Sequence, residues 1–170
     1  MKEASTINKL IILYILDGLD VPISGSRLLE FVTDKQYMDY LSYNETLSGL
    51  IESELVSATK QVNKTEYSIT QSGSETLNYF SDRVSDPIKK EIREFLKKNS
   101  GTLRDETSIS TDYYRLTNGE YIVQCKINDK NDPLLDLKFS VPTEIQAQAS
   151  AIKWKDKAQS VYETIMKELL

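Results

Sequence analysis

Apolar residues recur at helical spacing over residues 3–17, where Ile7, Leu10, Ile11, Tyr14 and Ile15 fall on one face. Val21 and Pro22 break the chain. A second helix is predicted from Ser24 or Ser26 to Thr33, with either serine as its cap and Leu28, Leu29, Phe31 and Val32 as its apolar side. A third is predicted to begin at Ser42, because Ser42 and Glu45 have capping-box spacing. In it Leu47, Leu50 and Ile51 face inward, and Asn44, Glu45, Ser48 and Glu52 outward. The pattern then changes to alternation. Residues 55–61 and 66–70 read as two strands around the polar turn Val62-Asn63-Lys64-Thr65, a hairpin. Thr70 caps a fourth helix carrying Leu77 and Phe80.

Residues 86–99 read as a fifth helix. Pro87 sits at its first position, where a missing N–H costs nothing, and Ile88, Ile92, Phe95 and Leu96 form its stripe. Lys89, Lys90, Arg93, Lys97 and Lys98 make it the most basic segment, and Asn99-Ser100-Gly101 is expected to end it. Beyond it, residues 107–116 and 120–128 alternate as strands around Asn118-Gly119. A two-residue turn would pair Leu116 with Tyr121 and Tyr114 with Val123. Residues 134–141 form a third strand. A last helix opens at Thr143, with Ala147, Ala151, Trp154, Ala158, Val161, Ile165 and Leu169 in one stripe and Ile152, Tyr162 and Met166 in a second, partial one.

The order helix, helix, helix, hairpin, helix is that of a winged helix-turn-helix. The expected fold class is α+β: an N-terminal winged helix-turn-helix followed by a three-stranded antiparallel meander covered by a long C-terminal helix. The expected domains are residues 1–82, a basic linker helix at 83–101, and a sheet-plus-helix domain at 102–170 that dimerises or senses an effector.

The stretch Leu50-Ile51-Glu52-Ser53-Glu54-Leu55-Val56, running into Tyr67-Ser68-Ile69-Thr70-Gln71-Ser72-Gly73 and on to Leu77 and Phe80, resembles a pattern of PadR-like and MarR-like bacterial regulators. In those families the second strand of the wing ends in a Tyr-x-(Leu/Ile)-Thr-x-x-Gly signature. The full layout resembles an uncharacterised winged-helix family of Gram-positive anaerobes, a domain of unknown function. The resemblance implies the fold and a regulatory role.

Composition narrows the function. The 170 residues contain no histidine and one cysteine, Cys125. The usual general base, the commonest metal ligand and any cysteine zinc cluster are therefore missing, so neither an enzyme nor a metal or cofactor site is expected. Cys125 alternates in phase with Tyr121 and Val123 and is expected to be buried. No apolar stretch approaches the roughly 20 residues that cross a bilayer. The run at residues 10–16 lies in an amphipathic segment rather than at the head of a signal peptide, so the chain is expected to be cytoplasmic with no membrane partner.

Double-stranded DNA is the expected partner. The start of the third helix would enter the major groove with Ser42, Tyr43, Asn44, Glu45 and Ser48, and the hairpin would meet phosphate with Lys60, Gln61, Asn63 and Lys64. Charge weighs against this. The net charge is −5, divided as −3 over residues 1–100 (12 basic, 15 acidic) and −2 over 101–170 (9 basic, 11 acidic). Residues 41–59 hold three glutamates and no cation. The alternative is an interaction module that binds protein and not DNA, favoured if the outer side of the third helix and hairpin is acidic or neutral. Two-fold operators call for dimers, and Trp154, Val161, Tyr162, Ile165, Met166 and Leu169 are the expected contacts of a homodimer. A small-molecule effector of unknown identity is the remaining expected partner.

Overall fold

The computed structural model describes residues 2–61, 64–129 and 132–170, with only the backbone considered at 2, 3 and 104–107. The chain divides into two compact units, residues 1–103 and 104–170.

The first unit is built around α1, Lys2–Asp17. Its amphipathic reading understates its burial: Ile12, Leu13 and Leu16 are buried along with Leu10, Ile11 and Ile15, so this helix is core over two turns. β1 is only Ile23–Ser24. Ser24 then caps α2, Gly25–Asp34, its hydroxyl accepting from the Arg27 N–H at 3.4 Å. α3 spans Tyr40–Glu52. Its cap is Asp39 rather than Ser42: the Asp39 carboxylate accepts the Ser42 N–H at 2.8 Å, and Ser42 lies within the first turn. Asp39 precedes Ser42 by three residues, so the sequence offers two competing caps, and the carboxylate captures the orphan N–H.

β2 (Val56–Lys60) and β3 (Thr65–Ile69) pair antiparallel, Val56 opposite Ile69 and Lys60 opposite Thr65. β1 adds to the far side of β3, with Ile23 opposite Tyr67. Thr70 caps α4, Gln71–Phe80, accepting from the Gly73 N–H at 3.0 Å and donating to the Glu54 carbonyl at 2.7 Å. A single 3-10 turn, Ser81–Arg83, leads to α5, Asp86–Ser108. α5 does not end at Asn99-Ser100-Gly101. The spacing of buried Ile92, Leu96 and Leu103 keeps one face on the first core and carries the helix through the glycine.

The second unit holds β4 (Ile109–Arg115), β5 (Tyr121–Asp129), β6 (Asp132–Val141) and α6 (Glu144–Leu169), with sheet order β4-β5-β6. The expected register of the first hairpin is off by one. Arg115 pairs with Tyr121 and Tyr113 with Val123. The loop is three residues, Thr117-Asn118-Gly119, closed by Leu116 N–H donating to the Glu120 carbonyl at 2.7 Å, with Gly119 at φ +91°. Such a turn places its glycine in the left-handed region, and Asn-Gly serves it as readily as it serves a two-residue turn. Between β5 and β6, Lys130 and Asn131 lie outside the described residues.

Thr143 caps α6 through the Gln146 N–H at 3.3 Å. Ala147, Ala151 and Ala158 bring α6 close to the sheet, where Val123 and Cys125 are buried. Trp154 fills the space between and donates from Nε1 to the Lys126 carbonyl at 3.2 Å.

The expected fold class is therefore corrected. The chain is α+β, but it carries two separate three-stranded sheets, β1-β3-β2 and β4-β5-β6, with helices interleaved, in place of an N-terminal winged helix-turn-helix followed by a single meander and helix. The element that changes the first half is β1, whose two residues turn an expected hairpin into a sheet.

Candidate functional site

Three segments of the first unit border one open cleft of about 330 Å³: the start of α2, the first turns of α3 and the turn end of β3 in the β2–β3 hairpin. Apolar Leu29, Leu47 and Tyr67 line it together with polar Ser26, Asn44 and Lys64. The structure brings together here several residues that the sequence placed on separate elements.

The candidates on α3 divide by depth. Glu45 and Ser48 are exposed, and Ser42 and Asn44 are half-buried. The Asn44 side-chain amide donates to the Tyr40 carbonyl at 3.0 Å, so part of its donor capacity is spent on its own helix. Tyr43, expected to face a partner, is only 4% exposed. Its hydroxyl donates to the Gly25 carbonyl at 3.1 Å, tying α3 to the start of α2, and burial pushes its phenol pKa up. Its role is to seat the helix.

On the hairpin, Lys60 is exposed and makes no ion pair among the described residues. Asn63 lies outside the described residues. Gln61 and Lys64 both point to a residue the sequence reading passed over. Glu66 is 6% exposed, with Lys64 Nζ 2.7 Å from one carboxylate oxygen and Gln61 Nε2 donating to the other at 3.0 Å. The contact with Lys64 is an ion pair rather than a well-formed hydrogen bond. A signal for it existed, since Lys64 and Glu66 stand two apart and alternate residues share a strand face.

The start of α3 exposes two large apolar groups, Tyr40 at 65% and Leu41 at 67%. They precede Ser42, the expected start of the third helix. Asp39 below them is held under its ordinary pKa by hydrogen bonds from Ser42, the backbone N–H first.

The charge of this face is low. α3 contains no lysine or arginine, Arg27 at the start of α2 pairs with Glu30 at 3.2 Å, and Lys64 pairs with Glu66. On α5, Lys89, Lys97 and Lys98 make no ion pair among the described residues, while Lys90 pairs loosely with Glu94 and Arg93 donates to the Tyr14 hydroxyl at 2.8 Å. Glu91 does more than neutralise that helix. Tyr37 donates to it and Lys35 pairs with it at 3.1 Å, anchoring α5 to the end of α2, and these bonds hold its carboxyl below the ordinary glutamate value.

In the second unit the expected dimer contacts separate. Trp154, at 5% exposure, is part of that unit's own core, and Val161 packs against it. Tyr162 and Ile165 are half-buried, and Met166 and Leu169 are exposed. The reason is the alanine stripe: it brings the Trp154 side of α6 onto the sheet and leaves Ile145 and Ile152 exposed along with Met166 and Leu169. Cys125 is buried, and burial pushes its thiol pKa up. Among the described residues no group of three His, Cys, Asp or Glu could hold a metal ion, and no helix is long and apolar enough to cross a membrane.

The model of a family described as Domain of unknown function (DUF4364) matches residues 8–169, and the chain belongs to that family. No curated protein and no solved structure matches it.

Proposed function

We propose that this member of the DUF4364 family is a DNA-binding transcriptional regulator that acts as a homodimer. The observation that carries the reading is the cleft at which the first turns of α3 and the turn end of the β2–β3 hairpin meet, with Asn44 on one element and Lys64 and Thr65 on the other. A helix beside a two-stranded ribbon matches a major groove with its adjoining phosphates. The resemblance of residues 67–73 to the signature of PadR-like and MarR-like regulators supports the same reading.

In this reading Asn44, Glu45 and Ser48 address base edges, Ser42 and exposed Lys60 address phosphate, and Tyr43 holds the helix at its angle. The second unit supplies the dimer contact through Tyr162, Ile165, Met166 and Leu169, and an effector would act there.

A second reading has its own observation. Exposed Tyr40 and Leu41 on a helix without cations suit a protein partner better than a phosphate backbone. In that case the first unit is an interaction module.

A binding selection from genome fragments at about 100 mM salt separates the two, because a phosphate-dependent complex survives there only with real base contacts. The expected result is enrichment of a two-fold symmetric site, lost in Asn44→Ala and weakened evenly across sequences in Lys60→Ala. No enrichment, or enrichment that neither variant alters, rejects DNA binding. Loss of function in Leu41→Ser would then favour the interaction module.

A further inference from the structure

We propose that Glu66 restrains the charge of the hairpin: by holding Lys64 and Gln61 it sets how strongly the cleft attracts phosphate. The inference rests on the DNA-binding reading above.

Glu66 lies on the middle strand of its sheet, opposite Thr59 on β2 and Ser24 on β1. A carboxylate that far from water is tolerated only when its charge is matched and its lone pairs are used. Lys64 matches the charge at 2.7 Å and Gln61 donates at 3.0 Å. Lys64 also lines the cleft beside Asn44 and Thr65. The lysine that lines the cleft is thus paired with its own strand. Phosphate entering the cleft has to compete with a buried carboxylate for that ammonium, and exposed Lys60 is left as the hairpin's uncommitted charge among the described residues.

The consequence runs against intuition: an acidic residue with almost no exposed surface controls affinity for a polyanion. Glu66→Gln keeps the shape and an acceptor for Gln61 while removing the charge. Glu66→Met, of similar length, is a second variant should the amide disturb the hairpin.

The test measures binding of the selected DNA fragment against salt for the native protein, Glu66→Gln, Lys64→Met and the double variant, with far-UV spectra confirming the fold. Glu66→Gln is expected to bind several-fold tighter at about 100 mM salt, with its log K against log salt slope steeper by about 0.9, the value of one added phosphate contact. Lys64→Met in that background is expected to remove the whole gain. A purely structural Glu66 would leave the slope unchanged. Without DNA, the Lys64 ammonium protons are expected to exchange slowly in the native protein and quickly in Glu66→Gln, read by nitrogen-resolved NMR. If the native protein binds and Glu66→Gln binds no tighter, this proposal alone is overturned. If no variant binds, the DNA reading falls and takes this proposal with it, whatever the ammonium exchange shows.

Discussion

Gly73 offers a test in which local and tertiary physics predict opposite signs. It is the third residue of α4, where helix propensity alone favours alanine by about 1 kcal/mol. A Cβ there would stand 2.1 Å from the Leu55 carbonyl oxygen, 3.1 Å from its carbon and 2.8 Å from Ile69 Cγ1. The first of these falls short of ordinary contact by more than about 1 Å. The obstacle is backbone held on both sides, since Leu55 donates to the Leu50 carbonyl at 3.0 Å and accepts from the Thr70 N–H at 3.1 Å. Relief therefore requires α4 to lift away from the start of β2. Overpacking of this kind costs about 1–3 kcal/mol, and loss of the Thr70 bond adds about 1 kcal/mol. Less the propensity gain, Gly73→Ala should destabilise by about 1–3 kcal/mol. For a unit of some hundred residues, that lowers the thermal midpoint by roughly 5–14 °C. Gly49→Ala is the control: it is also helical, but its Cβ would meet only Lys9 at 3.5 Å, an ordinary contact, so the midpoint should hold or rise. Circular dichroism melts of the three proteins decide the matter. A Gly73→Ala midpoint at or above the native one would refute the close-approach argument.

Trp154→Ala should cost the second unit about 3–5 kcal/mol, the usual loss for emptying a large buried aromatic site, measurable as a lower urea midpoint of that unit. Asp39 has its folded pKa below the ordinary aspartate value, so its contribution as the α3 cap is present above that ordinary value and is lost as pH falls through the lowered one. The stability gap between the native protein and Asp39→Ala should accordingly be full at neutral pH and close in acid, as read from melts across a pH series. The Cys125 thiol, buried and with a raised pKa, should resist a thiol reagent at pH 8 in the folded protein and react at once in denaturant; fast labelling of the folded protein would contradict its placement.

Much of the element order was legible because each piece carries a local signal. Thr70 and Thr143 cap the helices they were expected to cap, and the stretch at residues 67–73 has a physical content. Its threonine caps α4 and its glycine admits the Leu55 carbonyl. Three features were not legible, for different reasons. β1 has two residues, too few for any periodicity, yet it changes the sheet and with it the fold class. Asp39 and Ser42 compete for one cap, and only geometry chooses between them. The burial of Trp154 depends on a sheet that a one-dimensional pattern does not show, which is why it was taken for a dimer contact.

The low charge of the cleft constrains how a complex with DNA would have to work. Of the cations that border it or flank it, Arg27 is paired with Glu30 and Lys64 with Glu66, and Glu45 adds an exposed negative charge. Nonspecific attraction from one subunit is then weak, and affinity must come from hydrogen bonds to base edges and from a second subunit. Two measurable consequences distinguish this from a basic binder. Six to ten phosphate contacts give a log K against log salt slope of about −5 to −9, and the complex here should fall well short of that. If the proposed dimer forms, affinity should also follow protein concentration, so that Met166→Lys at the exposed end of α6 weakens DNA binding without touching the cleft. A steep salt slope would mean that phosphate attraction dominates, with the α5 cations as its source, and binding indifferent to Met166→Lys in a protein made monomeric by it would mean that a second subunit adds nothing to affinity.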